Sequence, residues 1–172
     1  MIKEIKCDLF QANADVLVHQ CNCQCTMGSG VARTIKELFP EVYEADCQTK
    51  KGDSSKLGTY SYSLVSGVPP EVNPRIKCVV NLYSQDAFGL QARHTSYDAL
   101  EVGLSRLRAD LEKKGELGKK VIALPYRMGS DRGGADWNVV RAIIESVFKD
   151  SKLTILICDN GSSTSPANAV SK

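Results

Sequence analysis

Asp15-Val16-Leu17-Val18-His19-Gln20-Cys21-Asn22-Cys23, followed by Met27-Gly28-Ser29-Gly30-Val31-Ala32, is the stretch that decides the fold. The run from Ala14 to Gln20 is almost continuously apolar, which marks a strand buried on both faces. From Gly30 onward, Val31, Ile35, Leu38 and Phe39 recur at helical spacing. A strand therefore feeds a helix through a glycine turn. The same pattern returns at Val121-Ile122-Ala123-Leu124-Pro125-Tyr126, then Met128-Gly129-Ser130-Asp131-Arg132-Gly133-Gly134-Ala135-Asp136-Trp137. A helix that starts just after such a turn offers unpaired N–H groups and the positive end of its dipole, a ready site for an anion. Two of these loops predict a ligand with two phosphates, gripped from both sides.

Outward from these loops, the remaining elements alternate. Residues 2–8 read as a strand ending at Asp8, and 57–65 as a half-exposed strand with Tyr60, Tyr62 and Leu64 on one face. Gly67, Pro69, Pro70 and Pro74 mark a loop before a strand over 76–84. Pro40 opens a helical piece over 41–49, and Leu100, Leu104, Leu107 and Leu111 stripe a helix over 96–114. A strand over 120–124, a helix over 136–149 with Asp136 as its N-cap, and a strand over 153–158 complete the set. After Asn160 the composition is that of a disordered tail. Strands alternating with helices predict an α/β layered fold with a largely parallel sheet, whose ligands bind at the carboxyl ends of its strands.

A length of 172 residues suits one domain, and a net charge of +2 without a basic run argues against a nucleic-acid partner. No apolar stretch is long enough for a membrane, and Met1 to Lys6 lacks a signal-peptide core, so a cytoplasmic protein is expected. Of the seven cysteines, Cys21, Cys23 and Cys25 alternate. A metal set would need a fourth ligand and C-x-x-C spacing, and neither is visible. The other reading is a set of reduced thiols acting as small hydrophobes. No cofactor and no metal are expected.

Cys7-Asp8-Leu9, the Val16-to-Cys23 stretch, Gly28-Ser29-Gly30-Val31-Ala32, Asn81-Leu82-Tyr83-Ser84-Gln85, Arg93-His94-Thr95-Ser96-Tyr97 and the Leu124-to-Trp137 loop stand in one order on one set of elements. In that combination, over residues 1–158, the chain resembles the macro domain family of ADP-ribose-binding modules. Its Asn-Cys pair and Gly-Gly-Ala-Asp-Trp ending look like the branch with the terminal ADP-ribose glycohydrolases and the yeast-type ADP-ribose-1″-phosphate phosphatase. The resemblance implies a single three-layer domain over 1–159, a mixed six-stranded sheet between helices, and a tail over 160–172. It also implies ADP-ribose, or a derivative of it, in a cleft across the top of the sheet.

Carried over by position, Asp8 matches the acid that accepts from the adenine amino group, with Leu9 beside it. Asn22, near Gln20, matches the residue that holds the distal ribose. Gly28, Ser29, Gly30 and Val31 match the first diphosphate loop. Met128, Gly129, Ser130, Arg132, Gly133 and Gly134 fall in the second. His19 matches a catalytic histidine of the phosphatase, and an imidazole suits a nucleophile or a general acid/base at a distal-ribose phosphate. The glycohydrolases use a lysine where this chain reads Tyr83-Ser84-Gln85-Asp86-Ala87-Phe88, and their catalytic aspartate falls on Gly133. Asp131 is the nearest substitute, either as a base for water or as a turn residue. Phe88 stacks near the distal ribose or closes its loop, and Arg93, His94 and Tyr97 read as a helix-opening cluster. Two functions follow. One is a hydrolase acting on ADP-ribose-1″-phosphate, O-acetyl-ADP-ribose or O-linked ADP-ribosyl protein. The other is a non-catalytic reader or sensor of ADP-ribose or a related NAD-derived signal.

Overall fold

The computed structural model describes residues 1–87, 92–113 and 120–161. In chain order the elements are β1 (Ile2–Lys6), β2 (Val16–Asn22), α1 (Gly30–Leu38), α2 (Pro40–Cys47), β3 (Tyr60–Leu64), β4 (Cys78–Gln85), α3 (Tyr97–Lys113), β5 (Val121–Pro125), α4 (Trp137–Phe148) and β6 (Thr154–Asp159). Short 3-10 turns lie at Leu9–Gln11 and Ser54–Lys56. The six strands form one sheet in the order β1-β6-β5-β2-β4-β3. Only β3 runs antiparallel to its neighbour. The expected mixed six-stranded sheet is observed.

Each face of the sheet has its own core, which makes three layers. On one face Val16, Val18, Val80, Leu82, Ile122 and Leu124 meet Leu100, Leu104 and Leu107 of α3 and Val140 and Ile144 of α4. On the other, Leu17, Cys21, Val79, Tyr83 and Ala123 meet Ile35 of α1, Phe39 and Val42 of α2. Cys21 and Cys23 are buried in this second core, and all seven cysteines are free. Among the described residues no group of three or more His, Cys, Asp or Glu side chains is placed to hold a metal ion. No described helix is long and apolar enough to cross a membrane.

The apolar alternation of β3 faces outward more than expected. Tyr60 packs on the α3 side and its hydroxyl donates to Asp110, but Tyr62 and Leu64 run past the helix and are exposed. The opposite face of β3 carries Ser61, which turns inward to Tyr83 and Asn81. At the amino end of β2, Arg75 grips Asp15 through two bonds of 3.0 Å, and Asp15 also accepts from Val121 N. That side chain belongs to the base of the sheet, so β2 begins at Val16, two residues later than expected, and its other end reaches Asn22. Residues 162–172 of the expected tail, Lys114 and Phe88 lie outside the described residues.

Asp136 caps α4 as expected, its carboxylate accepting from Asn138 N at 2.8 Å. Asp136→Ala is expected to cost about 1 kcal/mol, read as a lower urea midpoint at unchanged slope.

Candidate functional site

At the carboxyl ends of β2, β4 and β5 lies a cleft of about 450 Å³. One wall runs from Asn22 to Ala32, the other from Pro125 to Gly133, with Gln85 between them. The position is the one that a doubly covered, mostly parallel sheet offers a ligand.

The first wall ends in the amino terminus of α1. Ser29 sits there in extended conformation (φ −155°) and its side chain makes no capping bond. Arg33 N is the first amide to find an acceptor, Ser29 O at 3.3 Å; the amides of Gly30, Val31 and Ala32 donate to no described residue. Gly30 takes a φ of +59°, a left-handed conformation that glycine adopts without strain. Gly28 does not: its φ is ordinary, and a Cβ there would come no nearer than 4.0 Å, to Thr26 O. The fold leaves Gly28 free to carry a side chain, and the residue lines the cleft. Asn22 is held in an Asx turn, accepting from Gln24 N at 2.8 Å and donating to Thr26 Oγ1 at 2.9 Å.

The second wall works differently from the expectation. The end of α4 is satisfied by Asp136, so its dipole and first amides are not the anion donors. The loop itself is. Arg127 (φ +59°) and Gly129 (φ +78°) turn the chain through the left-handed region. The amides of Gly129, Asp131, Arg132 and Gly133 donate to no described residue, while Ser130 N between them donates to Arg127 O; free N–H groups of this kind suit an oxyanion. Ser130 Oγ is buried without a partner in the structure, and Ser130 stands outside the lining.

Gln20 sets the height of this loop. Its amide nitrogen donates to Gln85 Oε1 at 2.7 Å and Thr95 Oγ1 at 2.9 Å, and its oxygen accepts from Ser84 Oγ at 2.8 Å. Thr95 Oγ1 passes the contact on to Gly129 O at 3.1 Å, while His94 N and Thr95 N donate to Gly133 O. Gly129 and Gly133 are glycines because they lie directly on this lock. Gly134 (φ +67°) packs on the backbone of Ala92 and does not line the cleft.

Asp8 and Leu9 also stand outside the lining. Asp8 is exposed and caps the turn after β1, accepting from Phe10 N at 2.9 Å, while Leu9 is part of the core. Met128 and Val31 line the walls; Asp131 and Arg132 are exposed on the rim of the second. Tyr97 accepts from Asp136 N and its ring lies under Arg93, while His94 faces Asp86 at 3.7 Å. Those three form the helix-opening cluster and lie outside the cleft.

His19 lies in the cleft floor and is 1% exposed. Its Nε2 meets Asn81 Oδ1 at 2.6 Å, and Cys21 Sγ lies 3.4 Å from the same nitrogen. Burial pulls its pKa from 6.5 down to about 4, against the opposing effect of Asn81. The imidazole is therefore neutral at pH 7. Because the unfolded chain binds this proton more tightly, His19 stabilises the fold fully above pH 6.5, and the effect is lost as pH falls through 4. Such a shift is worth on the order of 3 kcal/mol. A His19→Gln protein should lose less of its urea midpoint than the wild type between pH 7 and pH 4.

Sequence reading missed Asp46, Gln85, Pro125, Tyr126 and Arg127 as lining residues. The last three follow a strand's carboxyl end, a signal available in the sequence. Asp46 is 1% exposed and carries a pKa raised by burial. It is placed only by the docking of α2, and nothing in its local pattern marks it. Among the described lining residues there is no lysine.

The sequence pattern of the Macro domain family matches residues 18–144. An Enterobacteria phage T4 protein, named as an uncharacterized 17.5 kDa protein in the tk-vs intergenic region, is 35% identical, covering 92% of this chain and 96% of its own. The ADP-ribose 1″-phosphate phosphatase of Debaryomyces hansenii is 27% identical over 92% of this chain and 100% of its own. Among solved structures, the macrodomain of Mycobacterium tuberculosis DarG superposes with a TM-score of 0.70 at 22% identity, over 92% of this chain and 97% of that one.

Proposed function

The chain belongs to the Macro domain family, and on that premise we propose that its cleft binds ADP-ribose and hydrolyses a substituent at the 1″ position, with ADP-ribose-1″-phosphate as the first substrate. One observation carries the reading. Bare amides on two walls, at Gly30–Ala32 and at Gly129, Asp131, Arg132 and Gly133, border one cleft whose floor holds a neutral imidazole. Amides of that kind suit a diphosphate. Binding energy from the adenosine half then holds the distal phosphate for reaction. The phosphatase named above supports the choice of substrate.

In the proposed step a water oxygen attacks phosphorus and His19 takes its proton. The P–O bond to the C1″ oxygen breaks, and the imidazolium returns the proton to that oxygen. ADP-ribose and inorganic phosphate leave. Asp131, at the rim, orients the water. Asn22 turns from its Asx contacts to the distal ribose hydroxyls, for which an amide supplies both donor and acceptor. Asp8 reaches the adenine end by the rim, with Leu9 beneath it. An O-acetyl or protein-linked ADP-ribosyl group at the same carbon is read as a further substrate of this site, acting in the cytoplasm.

Incubation of the wild type with ADP-ribose-1″-phosphate should release phosphate, and Asp131→Asn should slow the release about 10-fold or more, toward the range of a lost acid–base contact. Wild-type binding of ADP-ribose without any phosphate release would favour the second reading, a reader. The observation on that side is Gln85, which stands in the cleft on the stretch where the glycohydrolases use lysine, with its amide bonded to Gln20 and Ala87.

A further inference from the structure

The sheet places a polar row under the cleft. His19 on β2 and Asn81 on β4 are register partners, and Asn81 is in turn the register partner of Ser61 on β3. Asn81 is fully buried between them. Its Nδ2 donates to Val42 O at 3.0 Å and to Ser61 Oγ at 3.1 Å. A main-chain carbonyl can only accept, so the amide group facing Val42 is the NH₂ and the one facing His19 is the oxygen. That oxygen can only accept in turn, so His19 Nε2 must carry the proton. The row continues through Ser61 Oγ to Tyr83 Oη at 2.8 Å, and Tyr83 donates to Asp46 Oδ1 at 2.8 Å. Every bond then points one way, from the imidazole to a buried carboxylate that returns to the cleft floor.

We propose that Asn81 is the positioning residue of the site: it locks His19 as the Nε2–H tautomer and leaves Nδ1 as the nitrogen that accepts a proton, with Asp46 fixing the direction of the row from its far end. The catalytic part of this inference rests on the hydrolase reading; the tautomer does not. Nδ1 meets the Cys21 thiol, a weak donor, at 3.9 Å, and among the described residues no oxygen or nitrogen holds its lone pair. Rigid strands carry both partners, so the ring orientation is set before substrate arrives, which is how a neighbouring acceptor tunes a histidine.

Other titratable groups around the row are Cys21 on β2, Tyr83 on β4, Asp46 on α2, and Lys56, whose ammonium lies 4.8 Å from the Tyr83 ring centroid. Burial pushes Cys21 and Tyr83 up, so both stay neutral through the acid range. Burial raises the pKa of Asp46, the acid at the far end of the row, and Asp46→Asn serves as its control.

The test is a long-range proton–nitrogen correlation spectrum of the imidazoles in the ¹⁵N-labelled full chain. With only two histidines, His94→Gln assigns them. At pH 7 the wild type should show His19 with a protonated Nε2 and a bare Nδ1. Asn81→Asp keeps the shape and adds a carboxylate, so His19 should titrate about 1–3 units higher, and should do so in the Asp46→Asn background as well. If the chain turns over, the acid limb of kcat should move with it while KM stays within about 2-fold, since transition-state and ground-state contacts separate in that way. An Nδ1–H tautomer in the wild type, or an unmoved His19 titration in folded Asn81→Asp, overturns the proposal even if phosphate is released. The expected tautomer and shift in a protein that releases no phosphate uphold the positioning role and remove the hydrolase reading instead.

Discussion

Replacing Gly133 with alanine is expected to lower affinity for ADP-ribose at least tenfold and to lower Tm by several degrees. A Cβ built at Gly133 overlaps Thr95 Oγ1, stands 2.5 Å from Gly129 O and lies 2.7 Å from Gln20 Nε2. One of those three is backbone and the other two are hydrogen-bonded in the lock, so the loop must move away from Gln20. Overpacking of this kind costs about 1–3 kcal/mol. The same displacement carries away the amides of Asp131 and Arg132, and about 1.4 kcal/mol is already tenfold in affinity. In a domain of this size each kcal/mol moves Tm by about 2–4 °C. Gly28→Ala is the informative contrast. Its Cβ has open space, so Tm should hold, while affinity should still fall because the methyl group stands where the ligand approaches. Calorimetry and thermal melts on the two variants separate a glycine that the fold needs from one that only the ligand needs.

His19→Ala is expected to reduce phosphate release from ADP-ribose-1″-phosphate by about 10²–10⁴-fold, the range of a lost acid–base group, with ADP-ribose affinity changed only a few-fold. The ring lies in the floor of the cleft and outside the two amide walls, so binding and turnover should part company. Truncation also leaves Asn81 Oδ1 buried without its partner, a loss of about 1–3 kcal/mol in stability. His19→Gln refills much of that space and can donate to Asn81, so it controls for stability while lacking a base. Turnover restored by glutamine would show that His19 only supports the floor.

The fold was legible because its signals are local and redundant. The apolar run of β2, the leucine stripe of α3 and the cap at Asp136 each state their element within a few residues. The glycine loops were legible for the same reason, since a bare backbone after a strand has few uses. Their division of labour was not. Local pattern shows a helix after each loop and the cap at Asp136, but only the folded chain shows that Ser29 leaves α1 open and that amides of the second loop stay free. Gln20 shows the same limit. It stands in the motif beside His19, yet Ser84, Gln85 and Thr95 engage its amide, and all three come from segments at least 64 residues away. Asn81 and Asp46 meet in one row only because β4 pairs with both β2 and β3 and α2 closes over them. The sequence carries no periodicity for such a meeting. The outward face of β3 escaped for a related reason: alternation says that a strand has two faces, not how far a helix extends over one of them.

The most direct test of the diphosphate cleft is a titration of ADP-ribose into the ¹⁵N-labelled chain, followed amide by amide. The largest, saturable shifts should fall on Gly28 to Ala32 and on Gly129, Asp131, Arg132 and Gly133, whose N–H groups donate to no described residue. Shifts confined to other surfaces, or none at saturating ADP-ribose, would contradict the account.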